Sequence, residues 1–400
     1  MTTRATLSIA EQLLSQVFGG ILRLTLAPAP EGGSQRSKLL RCRVLDGPSA
    51  APASVIIKRV NTGEGQRFNS DAIDPSTRAF FNEWASLAFL TRLADEGAPL
   101  IGPRLYSADR AAGVLVMEDL GQGESLVQPL LGADRVVAEA AIDAYFRSLG
   151  RLGAQTHART DEYWEIRNAL GPPDPYTQPT LESEHNMLQR WLAMICEACG
   201  VTPVPGTEVD LAEAARFNAM PGPFAALSQS DTCPDNCLRE GEWMRLLDFE
   251  WGWVRNALND GGRARSNFPT CWCVHRLPRE TIRRAEAVYR AEVAKGCPAA
   301  ADDSLFKREL VKACASWALA TFEFYEEVSD MWQNDGMWGT STTRQRAITR
   351  LGLLAEASAE FGMLEALGET AAVLAGRLKQ LWPDVEPMSL YPAFDECASV

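Results

Sequence analysis

The stretch that decides the fold is Leu227–Gly252, LSQSDTCPDNCLREGEWMRLLDFEWG. It sets Asp231, Asn236 and Asp248 around one short hairpin. Apolar Cys237-Leu238 runs into a polar turn at Arg239-Glu240-Gly241-Glu242, and Trp243-Met244-Arg245-Leu246-Leu247 returns to Asp248-Phe249-Glu250. Two strands and a turn fit this pattern. Taken singly, each residue favours a purely structural reading: Asp231 as a turn cap, Asn236 as a second turn residue and Asp248 as part of an ordinary strand end. Jointly, a carboxylate, an amide five residues on and a carboxylate after the returning strand form a phosphoryl-transfer signature. That chemistry needs little covalent help from the protein: it needs a positioned hydroxyl and neutralised phosphate charge, and hard cations take oxygen ligands.

In form, D-x-x-P-x-N followed by D-F-E resembles the aminoglycoside phosphotransferase and choline kinase group of small-molecule kinases, within the protein-kinase-like superfamily. Gln229 and Ser230 stand where that group usually has His and Gly. The resemblance implies that Asp231 is the catalytic base, that Asn236 and Asp248 hold Mg²⁺, and that ATP is the donor. Upstream, Ser54-Val-Ile-Ile-Lys58 is similar to V-A-I-K, whose lysine contacts the α and β phosphates. Asp74-Pro75 reads as an N-cap followed by proline at the first helical position, opening a helix to about Asp95 that stops at Gly97. Glu83 lies on this helix and would pair with Lys58. The segment Gly113–Gly121, GVLVMEDLG, resembles the hinge between lobes, where the backbone from Met117 through Glu118 and Asp119 to Leu120 would bind adenine. Gly32, Gly33 and Ser34, in the turn between two strands at Ile21–Leu26 and Leu39–Leu45, are the candidates for a phosphate-covering loop. His157 lies in a segment similar to L-x-x-L-H-A and reads as a packing residue.

The implied fold is α+β and bilobal, with a sheet-rich N-lobe (1–117, including a polar insert at Asn61–Asp74) and a mainly helical C-lobe (118–400). Helical spacing is legible at Val136–Ala158, Glu182–Ala198, Asp210–Phe217, Pro278–Lys295, Ser304–Trp332, Thr342–Phe361 and Gly368–Leu381. A capping box at Ser8-Ile-Ala-Glu11 opens a short amino-terminal helix burying Leu13, Leu14, Val17 and Phe18. The carboxylates Glu323, Glu326, Glu327 and Asp330 share one face of a helix in the acceptor-side lobe. They read either as a solvated face or as a patch for substrate amines, with Trp251, Trp253, Trp332 and Trp338 as an aromatic wall.

Composition sets limits. A net charge of −13 argues against nucleic acid or an anionic membrane as partner, since both demand basic patches. The first twenty residues lack a signal-peptide core and no stretch reaches membrane-spanning length, so a cytoplasmic protein is expected. The ten cysteines match no common zinc spacing and are expected reduced and mostly buried, with Cys233 and Cys237 flanking the site. The acceptor expected is a small molecule bearing a hydroxyl. Nucleotidyl transfer on the same metal site and nucleotide binding without catalysis are the alternatives, and the oligomeric state is not legible.

Overall fold

The computed structural model describes residues 1–28, 36–63 and 66–395, apart from the side chains at 324 and 326–329. Gly32, Gly33 and Ser34 lie outside the described residues, and the side chains of Glu326 and Glu327 do too. In chain order the first part holds α1 (Thr3–Phe18), β1 (Arg23–Leu26), β2 (Ser37–Asp46), β3 (Ser54–Val60), α2 (Pro75–Asp95), β4 (Leu105–Asp109) and β5 (Val114–Glu118). The five strands form one antiparallel sheet in the order β1-β2-β3-β5-β4. The period-2 alternation of β3 explains what each face does. Val55 and Ile57 are fully buried in a core with Ala10 and Leu14 of α1, and Ile56 and Lys58 face the opposite way, into a cleft.

The remainder is mainly helical, and the fold class is α+β as expected. It comprises α3 (Val127–Leu131), α4 (Arg135–Thr156), α5 (Thr160–Leu170), α6 (Leu181–Cys199), α7 (Thr207–Ala219), β6 (Ala225–Ser228), β7 (Cys237–Glu240), β8 (Trp243–Leu246), β9 (Trp253–Asn256), α8 (Leu258–Gly261), α9 (Arg279–Val293), α10 (Asp303–Ser329), β10 (Met337–Trp338), β11 (Ser341–Thr342), α11 (Thr343–Phe361) and α12 (Glu365–Leu381). A continuous apolar core runs from Phe81, Phe89 and Leu115 through Tyr145, Leu149, Leu227, Leu246 and Phe249 to Phe268 and Tyr289, so the sheet and the helices around the 227–252 stretch share one interior. A second core, built from α6, α7, α10, α11 and α12, includes Leu192, Leu211, Leu319, Leu351 and Leu374. No helix among the described residues is long and apolar enough to cross a membrane.

Several expectations need correction. The amino-terminal helix starts five residues before Ser8, capped by Thr2, whose hydroxyl accepts from the Ala5 N–H at 3.2 Å. Glu11 is not a capping residue: its carboxylate accepts from the Leu24 N–H at 2.9 Å and ties α1 to β1. Val17 is 48% exposed because the apolar stripe of α1 runs through Ala10 and Leu14. Helix α5 was not anticipated, because its sequence TDEYWEIRNAL hides one buried tyrosine and one buried arginine among polar residues. The cysteines are not all reduced: Cys233 and Cys271 form a disulfide, their Cα atoms 5.5 Å apart across 38 residues of chain. Linear spacing could not show this, because the pair is made by the packing of the 267–273 segment on the loop that carries Asp231. The free thiols Cys42, Cys196, Cys199, Cys237, Cys273, Cys297 and Cys314 are buried, as expected.

Candidate active site

The hairpin is built as the sequence suggests. β7 pairs antiparallel with β8, Cys237 opposite Leu246 and Glu240 opposite Trp243, closed through Gly241 at φ 63°. The Leu247 N–H donates to the Asn236 carbonyl at 2.9 Å, which carries the pairing to the residue before Asp248. Asp231, Asn236 and Asp248 are thereby brought to one wall of a cleft of about 480 Å³.

The opposite wall comes from the sheet. Lys58 is buried, its ammonium 2.6 Å from a Glu83 carboxylate oxygen and 2.7 Å from Asp248 Oδ1, with Glu250 at 3.7 Å. Glu83 reaches it because α2 begins where expected: Asp74 accepts from the Ser76 and Thr77 N–H groups at 2.8 and 3.0 Å, with Pro75 at the first helical position. Burial disfavours the ammonium, but the three surrounding carboxylates more than offset it and hold Lys58 charged. Burial, with the charges of Asp248 and Glu250, pushes Glu83 up to about 7 against the pull of Lys58. Glu250 is also pushed up by burial and by Asp248, and its other oxygen accepts from Arg36 at 2.9 Å.

Gln229 and Ser230 support the loop. The Gln229 side-chain amide donates to the carbonyls of Asn236 (3.1 Å) and Leu247, stapling the loop's two ends. Ser230 takes the left-handed conformation (φ 65°) that glycine adopts without strain, and Asp248 does the same at φ 57°. Asp260, on α8, lies beneath them. Its carboxylate accepts from Ser228 Oγ (2.7 Å), the Gln229 N–H (2.9 Å) and the Ser230 N–H (3.2 Å). Arg263, fully buried, donates to Thr232 and to the Ser230 carbonyl. Neither Asp260 nor Arg263 is evident from sequence. A buried acid after the run Trp253–Leu258 was the only signal, and it lies outside the motif.

Asp231 is half-buried on the cleft wall. Burial, then the charge of Asp248, pushes it up to about 6, with Arg263 acting in the opposite sense. The Asn236 side-chain amide donates to the Asp231 carbonyl at 2.9 Å and to its carboxylate at 3.1 Å, which turns the Asn236 oxygen away from Asp231. That oxygen and the carboxylate of Asp248, whose side chain is 31% exposed, are hard donors on the cleft wall. They fit a Mg²⁺ ion that completes its shell with phosphate and water. Among the described residues no group of three or more His, Cys, Asp or Glu side chains could hold a metal by itself.

Leu39, Ile56, Met117, Leu238 and Leu247 line one end of the cleft as an apolar slot. The side chains of Glu118 and Asp119 are structural there. Glu118 accepts from the Arg104 N–H (3.0 Å) and from Arg245 (2.6 Å), and Asp119 accepts from Arg41 (2.8 Å) and the Gly121 N–H (2.9 Å). Glu118 also gives its own N–H to the Arg104 carbonyl. Leu120 completes that rim.

The far end of the cleft is formed by Asp235, Thr270, Trp272 and Trp338. The Trp272 indole donates to Asp235 at 2.9 Å, and the β10–β11 hairpin clasps the Trp272 backbone through the Thr340 N–H at 2.8 Å. Of the anticipated wall only Trp338 lies here, and Trp272 was missed. Trp251 stacks with Arg36, Trp253 is buried and Trp332 packs on Trp382. Glu323 and Asp330 are exposed and do not line the cleft. His157 donates from Nδ1 to the Ala225 carbonyl (3.0 Å), the packing role expected of it.

No family model matches the chain, and no curated protein matches it. Among solved structures it is similar to choline kinase from Cryptosporidium parvum Iowa II at 10% identity, covering 96% of this chain and 97% of that one with a TM-score of 0.45. It is similar to choline kinase from Streptococcus pneumoniae at 13% identity, with 87% and 98% covered and a TM-score of 0.44. An aminoglycoside phosphotransferase from Alicyclobacillus acidocaldarius is a further likeness, at 12% identity, with 90% and 93% covered and a TM-score of 0.43.

Proposed function

We propose that this chain is a kinase of a small-molecule hydroxyl that uses ATP and Mg²⁺. One observation carries the reading: Lys58, held by Glu83, meets Asp248 at 2.7 Å in the cleft that Asp231 and Asn236 also line, beside an apolar slot. Lys58 would neutralise the α and β phosphates, and the apolar slot would take the adenine. Asn236 and Asp248 would hold the metal. Bound Mg²⁺ supplies charge neutralisation on the transferring phosphoryl group.

Asp231 then has a defined task. With its acid pushed up to about 6 by burial and by Asp248, it is ionised at neutral pH yet basic enough to accept the acceptor's hydroxyl proton as that oxygen attacks phosphorus. Its carboxylate is aimed by the Asn236 amide. Gln229 and Asp260 keep the loop in place while this happens, which weighs against a nucleotide binder that has lost its catalytic loop. Residues 1–117 and 118–400 would act as the two lobes, with the acceptor entering beside Trp272 and Trp338.

The test is a screen of hydroxyl-bearing small molecules with γ-labelled and α-labelled ATP in parallel. Label from the γ position in a product supports the reading. Label from the α position would mean nucleotidyl transfer, and ATP binding with no labelled product from any acceptor would leave a binding protein.

A further inference from the structure

Carboxylates crowd the cleft, and the basic side chains that line it are, among the described residues, Arg36, Arg41 and Lys58. Two of them are committed. Lys58 sits against Glu83 and Asp248, and Arg41 is tied to Asp119 and to the Gly121 carbonyl at the rim. Arg36 is placed differently. Its guanidinium donates to Glu250 Oε1 at 2.9 Å and lies over the Trp251 ring at 4.9 Å, while its side chain stays 40% exposed. The Glu250 carboxylate is buried, and its other oxygen is 3.7 Å from the Lys58 ammonium. One carboxylate therefore spaces the two cations. The Arg36 backbone is fixed as well: its carbonyl accepts from the Asn61 N–H at 2.7 Å, and Ser37 pairs with Val60 across β2 and β3.

The register of β2 gives the cleft a direction. Arg41 marks the Asp119 rim, Leu39 stands opposite Lys58 in the apolar slot, and Arg36 follows at the end away from that rim. At about 3.3 Å per strand residue, Arg36 lies roughly 10 Å beyond Leu39. A nucleotide whose base fills the slot and whose α and β phosphates meet Lys58 extends its last phosphate toward Arg36. A triphosphate carries more negative charge than one lysine and one Mg²⁺ balance, and here it must also lie beside the carboxylates of Asp248 and Glu250. An arginine between Glu250 and the terminal phosphate meets both needs. Its guanidinium stays charged and presents its donors in a planar fork, so one edge can serve the carboxylate and the other the phosphate.

We infer that Arg36 is a phosphate-binding residue of the nucleotide site, directed at the terminal phosphate, and that Glu250 and Trp251 are its positioning residues. The inference rests on the reading of the cleft as a nucleotide site. It gives the chain a side chain, besides the metal, with which to select nucleoside triphosphate over diphosphate.

The experiment is titration calorimetry of Mg-ATP, Mg-ADP and adenosine against the native chain, Arg36→Met, Glu250→Gln and the double variant. Arg36→Met should weaken Mg-ATP at least tenfold, Mg-ADP by less and adenosine not at all. The substitution also takes a partner from Glu250, so it is repeated on Glu250→Gln, where no carboxylate is left to repel the phosphates. The selective loss for Mg-ATP should persist there. Arg36→Lys, which keeps the charge without the fork, should fall between the native chain and Arg36→Met. If the native chain binds ATP but Arg36→Met leaves the ratio of ATP to adenosine affinity unchanged, or lowers both equally, the inference is overturned and the kinase reading stands. Loss of the effect in the Glu250→Gln background overturns it too, since Arg36 would then only neutralise Glu250. Absence of ATP binding to the native chain removes both.

Discussion

Asp231 is a carboxylate whose surroundings resist its ionisation. Its acid sits near 6 in the folded chain against about 3.9 in an unfolded one. Folding therefore favours the protonated form, and the stability that this contributes is complete below about pH 4 and lost as pH rises through 6. Asp231→Asn in the presence of chelator should thus be more stable than the native chain well above pH 6, by about 3 kcal/mol. The difference should close below pH 4. Denaturant melts at pH 4 and pH 7.5 check this, and equal differences at both would mean that the carboxylate is not under the strain described. The same variant should retain Mg-ATP affinity while turnover on an identified acceptor falls by orders of magnitude. At this scale the sequence was informative where chemistry dictates residue type. Lys58, Glu83, Asp231, Asn236 and Asp248 were each singled out, and the structure brings all five to one cleft. It was silent on Asp260 and Arg263, whose work is to satisfy backbone groups, a task any suitably placed polar side chain can perform.

The elements that set the far end of the cleft are the 267–273 segment and the β10–β11 hairpin. Their junction is tight: at Gly339, φ 61°, an added Cβ would lie 1.8 Å from the Trp272 carbonyl oxygen. Gly339→Ala should therefore lift the hairpin from Trp272. The Thr340 amide, which donates to that carbonyl, should then exchange at least tenfold faster, with amides of β3 and β5 unchanged. Hydrogen exchange resolved by peptide checks this, and unchanged protection at 337–342 would contradict the packing. Element boundaries were legible where periodicity and caps agree, as in α2, α4, α11 and α12. They were not legible in α5 or β10–β11, where a short run buries few side chains and carries no period. Trp272 was missed for a related reason: its position beside Asp235 depends on a contact between segments 37 residues apart.

Over the whole molecule the disulfide is the feature that sequence reading had wrong. Cys233–Cys271 closes a loop of 38 residues that contains the hairpin, Asp248 and Asp260, so reduction should relax much of the site's framework. Loop-closure entropy for that length predicts a loss of about 3–4 kcal/mol of stability. Denaturant melts with and without a non-thiol reductant measure it. The reduced native chain should match Cys271→Ser, which itself should not respond to reductant. The fold class could be read because five motif residues and their order along the chain constrain the architecture. The pairing could not, because a disulfide depends on distance in space.

The central claim is that one cleft binds a metal nucleotide between Lys58 and Asp248. The most direct measurement is titration calorimetry of ATP, with and without Mg²⁺, against the native chain and Asp248→Ala. The account predicts saturable binding to the native chain that is strengthened by Mg²⁺, and at least a tenfold loss of Mg-ATP affinity in Asp248→Ala. Absence of ATP binding to the native chain, or identical Mg-ATP affinity in the two proteins, would contradict it.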